Sequence, residues 1–428
     1  MAKLLKKSLR SKHWNDAPPS SSPPAFDQED DEFHDAPEAL LHPEAHEEGG
    51  IAFTNKELLD QQRGAIMEIV KDMGRKLLTG NLNLINMSLP VKMFEPRSYL
   101  EKLADVWVYP QYLEEAAKAQ DSAQRMRFVV TWFIAGLQHA FQSWRKPFNP
   151  ILGETWQASL VDGTNIFIEQ ISHHPPISAF QMVGPGEGYL FTGLSQPAAS
   201  YLIKSNAIQT SAKGFRRFDF PDGECIDITY PEYMMRGIMY TSMPRAELVG
   251  TARFVDHKSR LCCEVVFGKV ADSPDDPLLQ RTDSFHGTLY RFTSNAQSVS
   301  SSTQAKGSRF SYVRSLVGGG GGSGSGSDEP ELLCEQVLST ATGNWLSHLD
   351  WDGHRFWTLS EARPAVWGPV EAPLPSDCRF REDLRALQAG QDPREAQATK
   401  EKLENMQRND AKLRKPHIEA LLAANQGK

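Results

Sequence analysis

The chain has 428 residues, 46 Lys+Arg against 54 Asp+Glu for a formal charge of −8, and 40% hydrophobic residues, enough to bury a large core in one big domain or two ordinary ones. A net-acidic chain lacks the clustered cations that neutralise phosphates, so a generic nucleic-acid binder is excluded. Its strongest apolar run, within 128–136, falls well short of the roughly 20 residues of a membrane-spanning helix, which leaves a soluble or peripheral protein.

Residues 1–50 read as a disordered arm. Pro18-Pro19, Ser20–Ser22, Pro23-Pro24 and a dense acidic stretch leave few apolar groups to offset ordering entropy. The first residues, MAKLLKKSLRSKHW, are basic but lack the apolar core of a secretory signal. They could be drawn to an anionic leaflet, at about 1 kcal/mol per basic residue, or serve as a solubilising tail. Over 51–428 the composition becomes that of a folded domain.

From about Asn55, Ile66, Ile69, Val70, Met73 and Leu77 keep helical spacing, which predicts an amphipathic helix. A second helix is expected over Ser122–Trp144, where Met126, Val129, Val130, Phe133, Leu137, Phe141 and Trp144 share a face. Beyond Pro150 short apolar or alternating runs are separated by Gly, Pro and Asp: Asn165–Ile171, Gly188–Leu194, Cys225–Tyr230, Leu248–Val255, Leu261–Val270 and Gly287–Phe292. That spacing points to an antiparallel sandwich or barrel. A Gly/Ser linker, 318–327, interrupts the block, and Trp345, Trp351, Trp357 and Trp367 mark its resumption. The C-terminal Glu395–Gln426 reads as a charged helix broken at Pro416. Cys225, Cys262, Cys263, Cys334 and Cys378 form an odd set without a CxxC pair, so neither a disulfide framework nor a zinc ribbon is expected and a reducing compartment is.

The most specific string is EQISHHPP, 169–176. Two imidazoles leave a strand that two prolines terminate, and together they can donate hydrogen bonds to an anion. Adjacent side chains on an extended chain point to opposite faces, which disfavours a metal site; the residual alternative is a pair of core histidines. Ser172 beside His173 suggests a nucleophile and base only weakly, since no G-x-S-x-G elbow is present. Lys400, Glu404 and Arg408 at i, i+4, i+8 share one helix face; taken alone, such a ladder is an ordinary solvated face.

EQISHHPP closely resembles the EQVSHHPP fingerprint of the oxysterol-binding-protein-related lipid-transfer family. KPFNPILGE at 146–154, Leu89-Pro90 followed by FEPRSYLE at 94–101, LPSD at 374–377 and KEKLENMQR at 400–408 are similar to other segments of that family. The resemblance covers roughly 75–415. It implies an α+β fold, a near-complete antiparallel β-barrel enclosing a lipid tunnel, with an N-terminal lid and helices and further helices at the C-terminus. It also implies that the headgroup of phosphatidylinositol 4-phosphate is held at the tunnel mouth by Lys146, His173, His174, Lys400, Glu404 and Arg408; Asn149 of the same string reads as a further headgroup contact or as a cap of the turn between Pro147 and Pro150. A phosphate monoester with nearly two charges suits such donors. A competing lipid, sterol or phosphatidylserine, would share the tunnel. The lid falls on the helix carrying Ile66, Ile69, Val70 and Met73 together with Gly80–Leu89, although the same stripe could be buried core.

In the arm, Glu32-Phe33-His34-Asp35-Ala36-Pro37-Glu38 resembles the two-phenylalanines-in-an-acidic-tract (FFAT) motif that docks VAP proteins of the endoplasmic reticulum. Glu32, Phe33, Asp35, Ala36 and Glu38 match it, and His34 stands in place of the second Phe. The expectation is a non-enzymatic, cofactor-free and metal-free lipid-exchange protein of the cytoplasm, peripheral at endoplasmic-reticulum contact sites. A lipid-sensing scaffold that recruits partners through the arm is the alternative.

Overall fold

The structure is a computed structural model that describes residues 40–73, 82–83, 89–202, 204–239, 241, 243–270, 276–294, 332–390 and 392–426. Glu32, Phe33, Asp35, Ala36 and Glu38, the 318–327 linker and most of the 80–89 stretch lie outside the described residues, as do the side chains of Ile66, Ile69, Val70 and Met73.

One 17-stranded sheet dominates the molecule. Thr155–Ser159, Asn165–His173, Pro176–Val183 and Leu190–Leu202 form an antiparallel meander. In Asn165–His173, Ile166, Ile168 and Gln170 alternate inward, the two-residue period of a strand with one buried face. The 13-residue strand Leu190–Leu202 then serves two partners. Its first half pairs with Arg216–Asp219 and its second with Ala207–Lys213. Arg245–Asp256 is divided in the same way, with Glu232–Arg236 on its first half and Cys225–Thr229 on its last. Leu261–Phe267, Ser284–Ser294, Leu332–Asn344, His348–Trp351 and His354–Thr358 continue the wall. Gly368–Pro369 finally pairs back onto Thr155–Ser159, bringing the end of the wall to its beginning. The α+β, near-complete antiparallel barrel expected from the sequence is thus the observed fold.

Helices fill and flank this wall: α1 (Lys56–Met73), α2 (Tyr99–Leu103), α3 (Pro110–Lys118), α4 (Ser122–Gly136), α5 (Glu382–Gln388) and α6 (Pro393–Gln426). The Asp121 carboxylate caps α4 by accepting from the Gln124 N–H at 3.0 Å. Almost every later residue of α4 is buried, because the helix runs inside the barrel. There Trp132 meets Phe191 and Phe218 at 5.4 and 5.1 Å, and Phe133 meets Tyr230 and Phe254 at 4.9 and 5.3 Å. This aromatic plug closes one half of the barrel and leaves the other half open as a cavity.

Two expectations about helix limits are corrected. The α-helix expected to reach Trp144 stops at Gly136 and tightens into a 3-10 turn over Leu137–Phe141. A Cβ at Gly136 would lie 1.9 Å from the Val106 carbonyl oxygen, so the chain passes too close to its neighbour for any side chain there. Pro416 does not break the last helix, which continues through it to Gln426. Proline removes only the bond to the residue-412 carbonyl, and that turn is exposed on both sides, where water can replace the lost donor.

Residues 40–50, read from sequence as part of the arm, are held on the barrel. His42 N–H donates to Leu346 O at 2.9 Å, and the Gly50 N–H donates to the buried Asp283 carboxylate at 2.9 Å. Ile51–Ala52 adds a two-residue strand against Arg245 and Ala246.

Candidate functional site

The open half of the barrel encloses a cavity of about 420 Å³, within the range of specific small-ligand sites. Leu89, Met93, Phe141, Tyr233, Met235 and Ile238 give it an apolar wall, while Lys146, Asn149, His173 and His174 meet at its mouth. Helix α1 lies across it. Gln62 Nε2 donates to Trp144 O at 2.7 Å and Arg63 Nε to Ile238 O at 2.6 Å, and both acceptor residues line the cavity. The segment assigned from sequence as a lid is therefore fastened through its polar residues to two cavity-lining residues distant in sequence.

The mouth is built on a rigid loop. Lys146–Phe148 forms a short parallel pair with Phe94–Ser98. Below it, Arg381 donates from Nη1 to Glu154 Oε2 at 2.8 Å and to Asn149 O at 2.9 Å, and from Nη2 to Asp383 Oδ2 at 2.7 Å. Glu154 Oε2 also accepts the Ile151 N–H at 2.9 Å, and its other oxygen accepts from Ser98 Oγ. Ser98, Glu154, Arg381 and Asp383 are all buried, so the loop from Lys146 to Glu154 hangs from a hydrogen-bonded charge network.

On this loop Lys146 places its ammonium 5.0 Å from the centroid of the Phe94 ring, and Lys400 of α6 approaches the same ring at 5.4 Å. The Lys400 ammonium also bonds the Glu404 carboxylate. Lys146 Nζ donates to Asn149 Oδ1 and, at 3.3 Å, to Pro147 O. Burial, followed by the positive charge of Lys400, lowers the Lys146 pKa to about 7, with Glu404 pulling the other way. A cation held so close to neutrality is poised for an anion.

His173 ends its strand, and the chain turns at His174, whose peptide bond to Pro175 is cis. The turn overrides the alternation expected of adjacent residues on a strand: the two imidazoles meet edge to face with centroids 4.5 Å apart. Burial and the neighbouring His174 hold the His173 pKa below its usual value, against a hydrogen bond to the Pro150 backbone and the charge of Glu404. Among the described residues no group of three His, Cys, Asp or Glu side chains has metal-binding geometry. Ser172 Oγ donates to Pro175 O at 2.7 Å, so it braces the turn and is not poised as a nucleophile.

Six of the seven headgroup candidates are thereby brought together from three distant segments: Lys146 and Asn149, His173 and His174, Lys400 and Glu404. Arg408 stands at the outer edge, donating to Asn405 Oδ1 at 2.8 Å and 3.7 Å from Glu404 Oε2, with its side chain 57% exposed. Residues that sequence reasoning missed are Phe94, the shared face for the two lysines, and the Arg381–Asp383 pair that anchors the loop. Phe94 and Glu154 lay inside matched strings, whereas Arg381 and Asp383 had no motif to mark them. Arg145, Lys102 and Arg216 also line the cavity and were not singled out.

The sequence profile of the Oxysterol-binding protein family matches residues 75–298. Oxysterol-binding protein 9 of Dictyostelium discoideum is 31% identical over 373 residues, covering 86% of this chain and 79% of that protein. Human Oxysterol-binding protein-related protein 8 is 31% identical over 229 residues, covering 50% of this chain and 24% of that longer protein. The fold is similar to that of the Osh1 ORD domain crystallised with ergosterol, with a TM-score of 0.56, 22% identity and coverage of 79% of this chain and 78% of that one. It is likewise similar to the Saccharomyces cerevisiae Osh3 ORD in complex with PI(4)P, with a TM-score of 0.55, 19% identity and 89% coverage of each chain. No helix among the described residues is long and apolar enough to cross a membrane. By the profile match and by similarity that spans most of both chains, the chain belongs to the oxysterol-binding protein family.

Proposed function

We propose that the protein is a non-enzymatic lipid carrier that binds phosphatidylinositol 4-phosphate by its headgroup and exchanges it for a competing lipid, a sterol or phosphatidylserine, in the one cavity. The observation that carries this reading is the meeting of Lys146, His173, His174, Lys400 and Glu404, from three separate segments, around the mouth of an apolar cavity. Such a mouth offers ammoniums and imidazoles to a phosphate monoester while the apolar wall receives acyl chains. Asn149 holds the Lys146 ammonium by accepting from it through Oδ1, and Arg408 supplies a guanidinium from the rim. Helix α1 would shield the tail while the lipid crosses water.

Since both ligands occupy one space, downhill flow of the phosphoinositide can drive the other uphill. The site of action is read as contacts of the endoplasmic reticulum, with a VAP-type protein engaged through Glu32, Phe33, Asp35, Ala36 and Glu38. An exposed aromatic anchor in an acidic tract is suited to a basic-rimmed pocket. The direct test replaces His173 and His174 by Ala and measures extraction from liposomes. Phosphoinositide extraction should be abolished with uptake of the competing lipid largely intact, and equal loss of both would refute the assigned headgroup role. Phe33→Ala should separately remove capture by VAP without changing extraction.

A further inference from the structure

At the inner end of the cavity lies a charge that the headgroup site does not use. Arg216 is 2% exposed, yet it lines the cavity together with Tyr99, Tyr230 and Tyr233. Its depth follows from the strand it occupies. Two residues on, and so on the same face, Phe218 stacks on Phe191 at 4.3 Å in the aromatic plug, which places Arg216 one step above the floor.

The guanidinium donates from Nη2 to Ala212 O at 2.9 Å and from Nη1 to Gly214 O at 3.3 Å, while Nε makes no hydrogen bond to a described residue. Its plane lies over the Tyr230 ring at 4.1 Å. Two carbonyls and an aromatic face are neutral acceptors, and among the described residues no carboxylate forms an ion pair with it. A buried charge of this kind is costly unless an anion reaches it. The surrounding polar groups are already committed elsewhere: the Tyr99 hydroxyl bonds Ser195 Oγ at 2.9 Å, and Trp107 Nε1 donates to the Tyr230 hydroxyl at 3.1 Å. What Arg216 still presents is a fork whose geometry matches a carboxylate.

We propose that Arg216 forms a floor subsite for the carboxylate of a long-chain carboxylic acid, which enters acid-end first and is a cargo class beyond neutral sterol and phospholipid. This rests on the reading of the cavity as a lipid site, and its anion contact is separate from the mouth. The acid would lie along the apolar wall with its carboxylate on Arg216 and its hydrocarbon end toward Lys146.

The test is titration of the full chain with cis-parinaric acid, a fluorescent long-chain acid, and with its methyl ester at pH 8. The wild-type protein should bind the acid at least tenfold more tightly than the ester. Arg216→Met, similar in length and uncharged, should bring the two within about twofold, and Arg216→Lys should retain part of the preference. The wild-type comparison stands even where the Met variant fails to fold. Equal binding of acid and ester by the wild type overturns the proposal, as does a preference that survives in Arg216→Met. A preference lost instead in the His173→Ala, His174→Ala protein also overturns it, by placing the acid at the mouth. Failure of both probes to bind overturns it too, and phosphoinositide extraction by the same preparation then reports whether the lipid-cavity reading falls with it.

Discussion

Raising the pH from 7 to 9 should weaken phosphoinositide binding about fiftyfold, through Lys146. In the free protein burial, followed by the charge of Lys400, holds this ammonium at a pKa of about 7, far below the 10.5 of an exposed lysine. Above pH 7 the free site is therefore largely neutral. A bound phosphate monoester is already dianionic there, its second ionisation lying near 6, and its charge favours protonated Lys146. Binding then takes up about half a proton at pH 7 and close to one above pH 8, where the association constant falls about tenfold per pH unit. From pH 7 to 9 this amounts to about 2.3 kcal/mol. His173 of the free protein, held below its usual pKa, is already neutral across this window, so the Lys146→Met protein separates any proton it takes up on binding from that of Lys146. Calorimetry with a soluble inositol monophosphate headgroup, in buffers of different ionisation enthalpy, counts the protons directly. Uptake near one at pH 8.5, lost in Lys146→Met, is the expected result. Affinity that is flat from pH 7 to 9, or an unchanged slope in Lys146→Met, would refute the reasoning.

The same linkage has a consequence for stability without ligand. Because the folded pKa of Lys146 is depressed, the unfolded chain binds more protons between about pH 7 and 10.5, so this group's contribution to stability rises with pH across that window; a Lys146→Met protein should lose that part of the rise in thermal melts. Arg381→Met leaves Glu154 and Asp383 buried without their cation, at a cost of about 3–5 kcal/mol in urea denaturation, and should weaken headgroup binding by loosening the Lys146–Glu154 loop. A cost under about 1 kcal/mol would show that the network does not hold the loop. Phe94→Leu keeps an apolar filler but removes the ring shared by Lys146 and Lys400, so headgroup affinity should fall several-fold, by about 0.5–1 kcal/mol for each cation, with little change in fold. Gly136→Ala should lower the melting temperature despite alanine's better helix propensity, because the new Cβ would collide with the Val106 carbonyl; an unchanged or raised value would contradict that close approach.

Much of this architecture was legible in short strings, for physical reasons that differ from segment to segment. Asn165–His173 announced itself by alternation because only one of its faces is buried. Arg216–Asp219 and Glu232–Arg236 did not: they are short, rich in charge, and gain their strand character from the long neighbours Leu190–Leu202 and Arg245–Asp256. The heavily apolar α4 gave a helical signal, but its end was set by a tertiary approach at Gly136 that no period encodes. At the mouth, the histidine pair and Lys146 stood out by motif. Their mutual placement did not, since the edge-to-face meeting of His173 and His174 depends on the turn that follows the strand. Lys400 and Glu404 looked like any exposed i,i+4 pair, and only the structure shows Lys400 to be 4% exposed and seated over Phe94. Arg216 was silent because its interest lies in a missing partner, which a sequence does not display.

The central claim, one cavity serving two lipids in turn, is tested most directly by native mass spectrometry of the purified chain after incubation with liposomes carrying phosphatidylinositol 4-phosphate, a sterol and phosphatidylserine. The account predicts one lipid per chain, with the phosphoinositide and a single competing lipid displacing each other as the liposome composition is varied. Chains carrying both lipids at once, or phosphoinositide occupancy unchanged by replacing His173 and His174 with alanine, would contradict it.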